Sequence, residues 1–172
     1  MPRIILCTML LLTLSPIVAS GAGTPAVTKP TPAATTETTR TEVQAFVKGY
    51  IDAVNRADVT AMMEMFSREP GVTSVADGEI ERGWDAIRTD ADQIVGKEGS
   101  YKFSIGSIDV TPLGTSYALM VAPLTVKAPA PQDSAEAPGA MTLLVKKSGK
   151  TWLIVHEHWS SKPQEEEQQE GE

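Results

Sequence analysis

Residues Met141 to Ser160, MTLLVKKSGKTWLIVHEHWS, decide the fold. They read as two β-strands, Met141–Lys147 and Thr151–Ser160, joined by a tight turn at Ser148-Gly149-Lys150. Gly149 supplies the positive φ that a short hairpin loop needs. The returning strand is dense in β-branched and aromatic residues. One parity holds Trp152, Ile154, His156 and His158, and the other holds Leu153, Val155, Glu157 and Trp159. A strand apolar on both parities is ordinarily covered on both faces. The expectation is therefore a sheet with helices on one side and a second copy of the chain on the other.

Working back toward the N-terminus, Ser116–Val126 reads as a long buried strand, followed by a Pro/Ala loop at Ala128–Pro138. Tyr101–Val110 alternates, with a bend at Gly106-Ser107. Three helices precede these strands. The first shows Val43, Phe46, Val47, Tyr50, Ile51 and Val54 at three- and four-residue spacing. Asp58 is a good N-cap for a short second helix carrying Val59, Met62, Met63 and Phe66. The third runs from Trp84 to about Val95 with Trp84, Ile87, Ala91 and Ile94 as its apolar side. Its acids Asp85, Asp90 and Asp92 read as a solvated face. Between the second and third helices, Asp77-Gly78 joins Val72–Ala76 to Glu79–Arg82 as a compact hairpin. The order predicts an α+β cone, with three N-terminal helices packed on a curved, mainly antiparallel sheet.

Outside this unit the chain is polar. Residues 1–20 read as a secretory signal: Arg3, an apolar run from Ile4 to Leu14, Pro16, then small residues at Ala19 and Ser20. Residues 21–41 are a Thr/Pro/Ala linker expected to be disordered, and residues 162–172 an acidic tail expected to be likewise. The domain is placed at residues 42–161, and the protein is expected to be secreted or periplasmic, with no membrane anchor once the signal is cleaved. The net charge of −7 argues against nucleic acid or an anionic membrane as partner. Cys7 is the only cysteine and lies inside the apolar run, so a mature chain would have no thiolate or disulfide chemistry.

Two stretches carry a resemblance. Phe46-Val47-Lys48-Gly49-Tyr50, Asn55-Arg56-Ala57-Asp58 and Phe66 at the start resemble the SnoaL-like branch of the NTF2-like superfamily, as does Gly149-Lys150-Thr151-Trp152 with His156-Glu157-His158-Trp159-Ser160 at the end. The closing strand is also similar to that of the calcium/calmodulin-dependent kinase association domain. The resemblance implies a cone that dimerises through the outer sheet face and holds a pocket between helices and sheet. It implies no single reaction.

Against the family's ketosteroid isomerases, Tyr50 matches the tyrosine that donates to the oxyanion, whereas the general-base position falls on Ser74. A serine hydroxyl is too weak a base for that step. The pocket implied by the resemblance would be lined by Tyr50, Met62, Phe66, Ser74 and Trp84, with Leu143 and Trp159 where the kinase association domain has arginines. Such a pocket is greasy rather than anion-selective. If the parity of the resemblance carries over, Glu157 is the one acid placed deeply enough for a raised proton affinity; the alternative is that it lies near the strand end and is solvated. His156 and His158 share a face, but no third ligand is evident, so no metal and no cofactor is expected. The expected function is binding of a small apolar ligand by a homodimer. The alternatives are an isomerase, hydrolase or cyclase using Glu157, His158 and Tyr50, and a structural dimerisation domain.

Overall fold

A computed structural model describes residues 32–96, 101–127 and 136–162. The segment read as a secretory signal, residues 21–31 of the expected linker, residues 97–100, residues 128–135 of the Pro/Ala loop and the tail after Lys162 lie outside them. Three helices, α1 (Pro32–Asn55), α2 (Val59–Glu64) and α3 (Trp84–Ile94), pack against one curved seven-stranded sheet. Its strands are β1 (Thr73–Ala76), β2 (Glu79–Arg82), β3 (Lys102–Ile105), β4 (Asp109–Leu113), β5 (Tyr117–Lys127), β6 (Ala137–Ser148) and β7 (Thr151–Ser161). The sheet order is β2-β1-β7-β6-β5-β3, with β4 beside β3 on β5. Every pairing is antiparallel except β1 with β7.

The closing hairpin is longer than its apolar core suggests. Pairing of β6 with β5 continues through Pro138 and Gly139, which oppose Thr125 and Leu124. Ser148 faces Thr151 across a two-residue turn in which Gly149 has φ +61°. The hairpin at Asp77-Gly78 also forms, with both residues at positive φ. Its Asp77 carboxylate accepts from the Ser161 backbone N–H at 2.7 Å, which ties the turn to the end of β7.

The linker boundary differs from expectation. Helix α1 starts at Pro32, not near Thr41. Proline suits a first helical turn because its missing N–H is one of the donors left unpaired there. Past that point the helix has tertiary partners: the Arg40 Nε donates to the Val110 carbonyl at 3.3 Å and the Gln44 amide to the Ile108 carbonyl at 3.1 Å. At its other end Asn55 pairs both backbone groups of Phe103 at 2.8 Å, as a neighbouring strand would. One helix thus satisfies an edge that β3 and β4 would otherwise expose.

Asp58 caps α2 as the sequence implies, accepting from the Ala61 N–H at 3.0 Å. Asp58→Ala should cost about 1 kcal/mol in urea unfolding, read as a lower midpoint at unchanged slope. An unchanged midpoint would mean that this cap contributes nothing.

The largest departure lies in β7. Leu144 opposes His156 while Val145 opposes Ile154, so Val155 is an extra residue without a cross-strand partner. This is a β-bulge, and a bulge exchanges the faces of everything beyond it. Trp152 and Ile154 face the helices before it; Glu157 is buried on that same side after it, while Val155 is half-buried and His158 exposed. Trp152, Ile154 and Trp159 thus share the inner face across the bulge, while Leu153 lies on the outer one.

Candidate functional site

The site is built where β1 and β7 run side by side. Their parallel register sets Ser74 directly beside Glu157, and the bulge turns Glu157 inward under α1. Tyr50, one turn from the end of α1, reaches the same point. Its hydroxyl donates to Glu157 Oε1 at 2.5 Å, and the Ser74 hydroxyl donates to Oε2 at 2.9 Å. All three side chains are buried, with Glu157 only 2% exposed. The position where the isomerase resemblance expects a base thus holds a hydroxyl, and a carboxylate stands beside it on the next strand.

Burial pushes the Glu157 carboxyl above its ordinary value; the two hydroxyl donors oppose that rise and the nearby Asp90 charge adds to it. Burial, reinforced by Glu157, raises the Tyr50 phenol well above its usual range, so it remains a protonated donor. Burial, then repulsion from Glu81, raises Asp90 as well.

Two adjoining compartments open from this cluster. The inner one, about 30 Å³, is bounded by Tyr50, Glu157 and Ser74 and by apolar Met62, Ile87 and Phe103. The outer one, about 200 Å³, has Asp77, Glu79, Glu81 and Asp90 on its walls, with the rings of Tyr101 and Trp159. Ser74, Asp90, Ile94 and Trp159 line both. Trp159 is braced by Phe103, ring centroids 5.2 Å apart.

Of the residues expected in the pocket, Tyr50, Met62, Ser74 and Trp159 line it. Phe66 and Leu143 do not: both are core residues, Phe66 edge-on to the Tyr50 ring and Leu143 opposite Glu157 on β6. Nor does Trp84, whose indole N–H donates to the Met63 carbonyl at 3.1 Å while its ring carries the Arg68 guanidinium at 3.8 Å. It joins α2 to α3. His158 is exposed, on the sheet face opposite to Glu157, so the trio Glu157, His158 and Tyr50 does not assemble. His156 instead shares a 2.7 Å hydrogen bond with Thr73. The pocket is also not simply greasy, because its mouth is acidic.

Asp90 belongs to this site rather than to a solvated face. It sits three residues after Ile87 and four before Ile94, on the side of α3 that meets the sheet. That spacing is present in the sequence.

Residues 43–163 match the model of the SnoaL-like domain. Among solved structures, an NTF2-like protein of unknown function from Shewanella oneidensis MR-1 is 25% identical, covers 71% of this chain and 98% of its own, and superposes with a TM-score of 0.58. An NTF2-like superfamily protein from Salmonella enterica serovar Typhimurium LT2 is 21% identical over 79% of this chain and 99% of its own, with a TM-score of 0.65. A third, of unknown function, from Pseudomonas putida KT2440, is 19% identical over 79% and 94%, with a TM-score of 0.63. No curated protein matches the chain significantly.

Proposed function

Because this chain belongs to the SnoaL-like domain family, we propose that it is an exported small-molecule-binding protein that acts as a homodimer. The observation that carries this is the pair of adjoining compartments leading to a buried, hydroxyl-held carboxylate. A concave site with apolar walls and a few convergent polar groups is the usual form of a ligand pocket. The ligand lies against Trp159, Phe103 and Ile94, with Asp90 and Glu157 as polar contacts. With an outer compartment of about 200 Å³, it is smaller than the drug-sized ligands that fill pockets of roughly 300–1,000 Å³.

The dimer uses the outer sheet face. There Tyr117 and Val121 are exposed and Leu119, Leu144, Leu153 and Val155 are half-covered. An apolar face of this kind is what a self-complementary interface covers. Light scattering on the eluting protein should give about twice the protomer mass, and Val121→Asp should shift it toward one. Native mass spectrometry should find a small molecule retained with the wild type and lost from Trp159→Ala. A monomer would remove the dimer from this reading, and an empty pocket that takes up nothing from a ligand panel would remove the binding.

A second reading is supported by one observation: Asp90 and Glu157, both with raised proton affinity, border one cavity. Two such carboxyls suffice for general acid–base transfer. In an enzyme of this kind Glu157 moves the proton and Tyr50 positions it, with no role for His158.

A further inference from the structure

The mouth of the pocket gathers acids without a matching cation. Four acids elsewhere are ion-paired: Glu37 with Arg40, Glu42 with Lys147, Glu69 with Lys146 and Asp92 with Arg88. Among the described residues, Glu79, Glu81 and Asp90 around the outer compartment have no hydrogen bond or ion pair, and no basic side chain lines the cavity. Glu81 and Asp90 stand close enough to repel.

Two further features show that this is more than a group of acids. The cavity is walled by aromatic rings, and Trp159 is held in place by Phe103. At its inner end Glu157, nearly wholly buried, accepts one hydrogen bond on each oxygen. A carboxylate offers roughly four acceptor sites, so capacity remains on the cavity side. Among the described residues no three His, Cys, Asp or Glu side chains stand together as a metal cage. The negative charge is spread over walls that also present rings, which suits a cation with an organic body better than a bare ion.

We propose that the pocket selects a small organic cation, an amine or quaternary ammonium. Its charged head sits against Trp159 and Tyr101 and is neutralised by Glu79, Glu81 and Asp90. This rests on the reading of the cavity as a binding site and names its ligand class. Tryptophan is the strongest aromatic partner for a cation, and desolvation within a cavity strengthens the attraction. The potential of the unpaired carboxylates would also raise the local concentration of cations and exclude carboxylate or phosphate compounds.

The test uses three probes of one shape, benzylamine, benzyl alcohol and benzoate, titrated calorimetrically into the full mature chain. Benzylamine should bind at least tenfold more tightly than benzyl alcohol, and benzoate should not bind. Glu81→Gln with Asp90→Asn should bring the first two toward equality; both positions lie at partly exposed sites, so the variant should fold, as circular dichroism will verify. Trp159→Leu should weaken benzylamine more than benzyl alcohol. Equal or preferred binding of benzyl alcohol overturns the cation assignment and leaves the pocket reading standing. Displacement of benzylamine by millimolar Ca²⁺ as readily as by a competing amine overturns it too, since it would show a charge field without shape. Failure of all three probes at tens of millimolar overturns both readings.

Discussion

Inserting one alanine between Val155 and His156 should dismantle the site and unfold most of the domain. With one bulged residue kept, everything beyond it exchanges faces: His156 comes opposite Leu143, Glu157 turns outward and His158 enters the core. With the bulge smoothed out instead, Glu157 moves along to Met141 and leaves Tyr50 and Ser74. Either outcome orphans the Tyr50 and Ser74 hydroxyls, and the loss should pass about 4 kcal/mol. Deleting Val155 is the contrasting change. It leaves Ile154 opposite Val145, His156 opposite Leu144 and Glu157 opposite Leu143, a regular ladder with every facing retained, so it should cost far less. Urea unfolding compares the two. An insertion no worse than the deletion would show that the phase of β7 does not set the facing of Glu157.

Glu157→Ala carries the second large effect. It leaves two buried hydroxyls without an acceptor, at about 1–3 kcal/mol each, partly offset because a buried carboxylate is itself costly. A net loss of about 3 kcal/mol, on the order of 10 °C in Tm, is expected. Glu157→Gln retains an acceptor and should lie within about 1 kcal/mol of wild type. In a cycle with Tyr50→Phe the double change should cost less than the sum of the single ones, because the two groups share one hydrogen bond.

The pH dependence has a definite sign. The folded-state affinity of Glu157 for a proton is raised above the ordinary value of 4.5. The native state therefore holds more protons than the unfolded chain, and stability falls with rising pH. Its contribution is complete below pH 4.5 and is lost as pH climbs through the raised native value. Asp90 adds a change of the same sign above its ordinary 3.8. Glu42, held down first by Lys147 and then by Trp152, acts oppositely: its contribution is present above 4.5 and is lost on acidification. Glu157→Gln should flatten the decline on the rising-pH side and leave the acid limb in place. An unchanged profile would assign the decline to other groups.

The fold was legible because its signals are local. Helical spacing from Val43 to Val54, Asp58 as a cap, and Asp77-Gly78 and Gly149 as turns each act within a few residues. Ser74 as a position without a base was legible too, whereas Glu157 as the buried acid was only one of two readings until the phase of β7 was fixed. What was not legible depended on pairing. No residue in Ile154-Val155-His156 announces a bulge, since three apolar or aromatic side chains in sequence satisfy either phase. Only Leu144 and Val145 opposite them fix which residue is extra. Phe66, Leu143 and Trp84 were expected in the pocket through the resemblance, yet packing in the core and the Arg68 contact place them elsewhere. Asp90 is different. Its spacing from Ile87 and Ile94 placed it on the apolar side, and treating α3's acids as one set concealed it.

The cluster also dictates an order of events. Tyr50 and Glu157 are 107 residues apart in the chain, Ser74 and Glu157 are 83 apart, and Glu42 reaches Trp152 across 110. Contacts of such separation form late, since the loops they close must be ordered first. While the chain is being synthesised, α1 and β1 emerge long before the strand that completes them. Until β7 docks, Tyr50 lacks its acceptor and β1 lacks its parallel neighbour. Tyr50, Ser74 and Glu157 therefore come together only in a finished chain, and binding at their pocket reports that the last strand is in place.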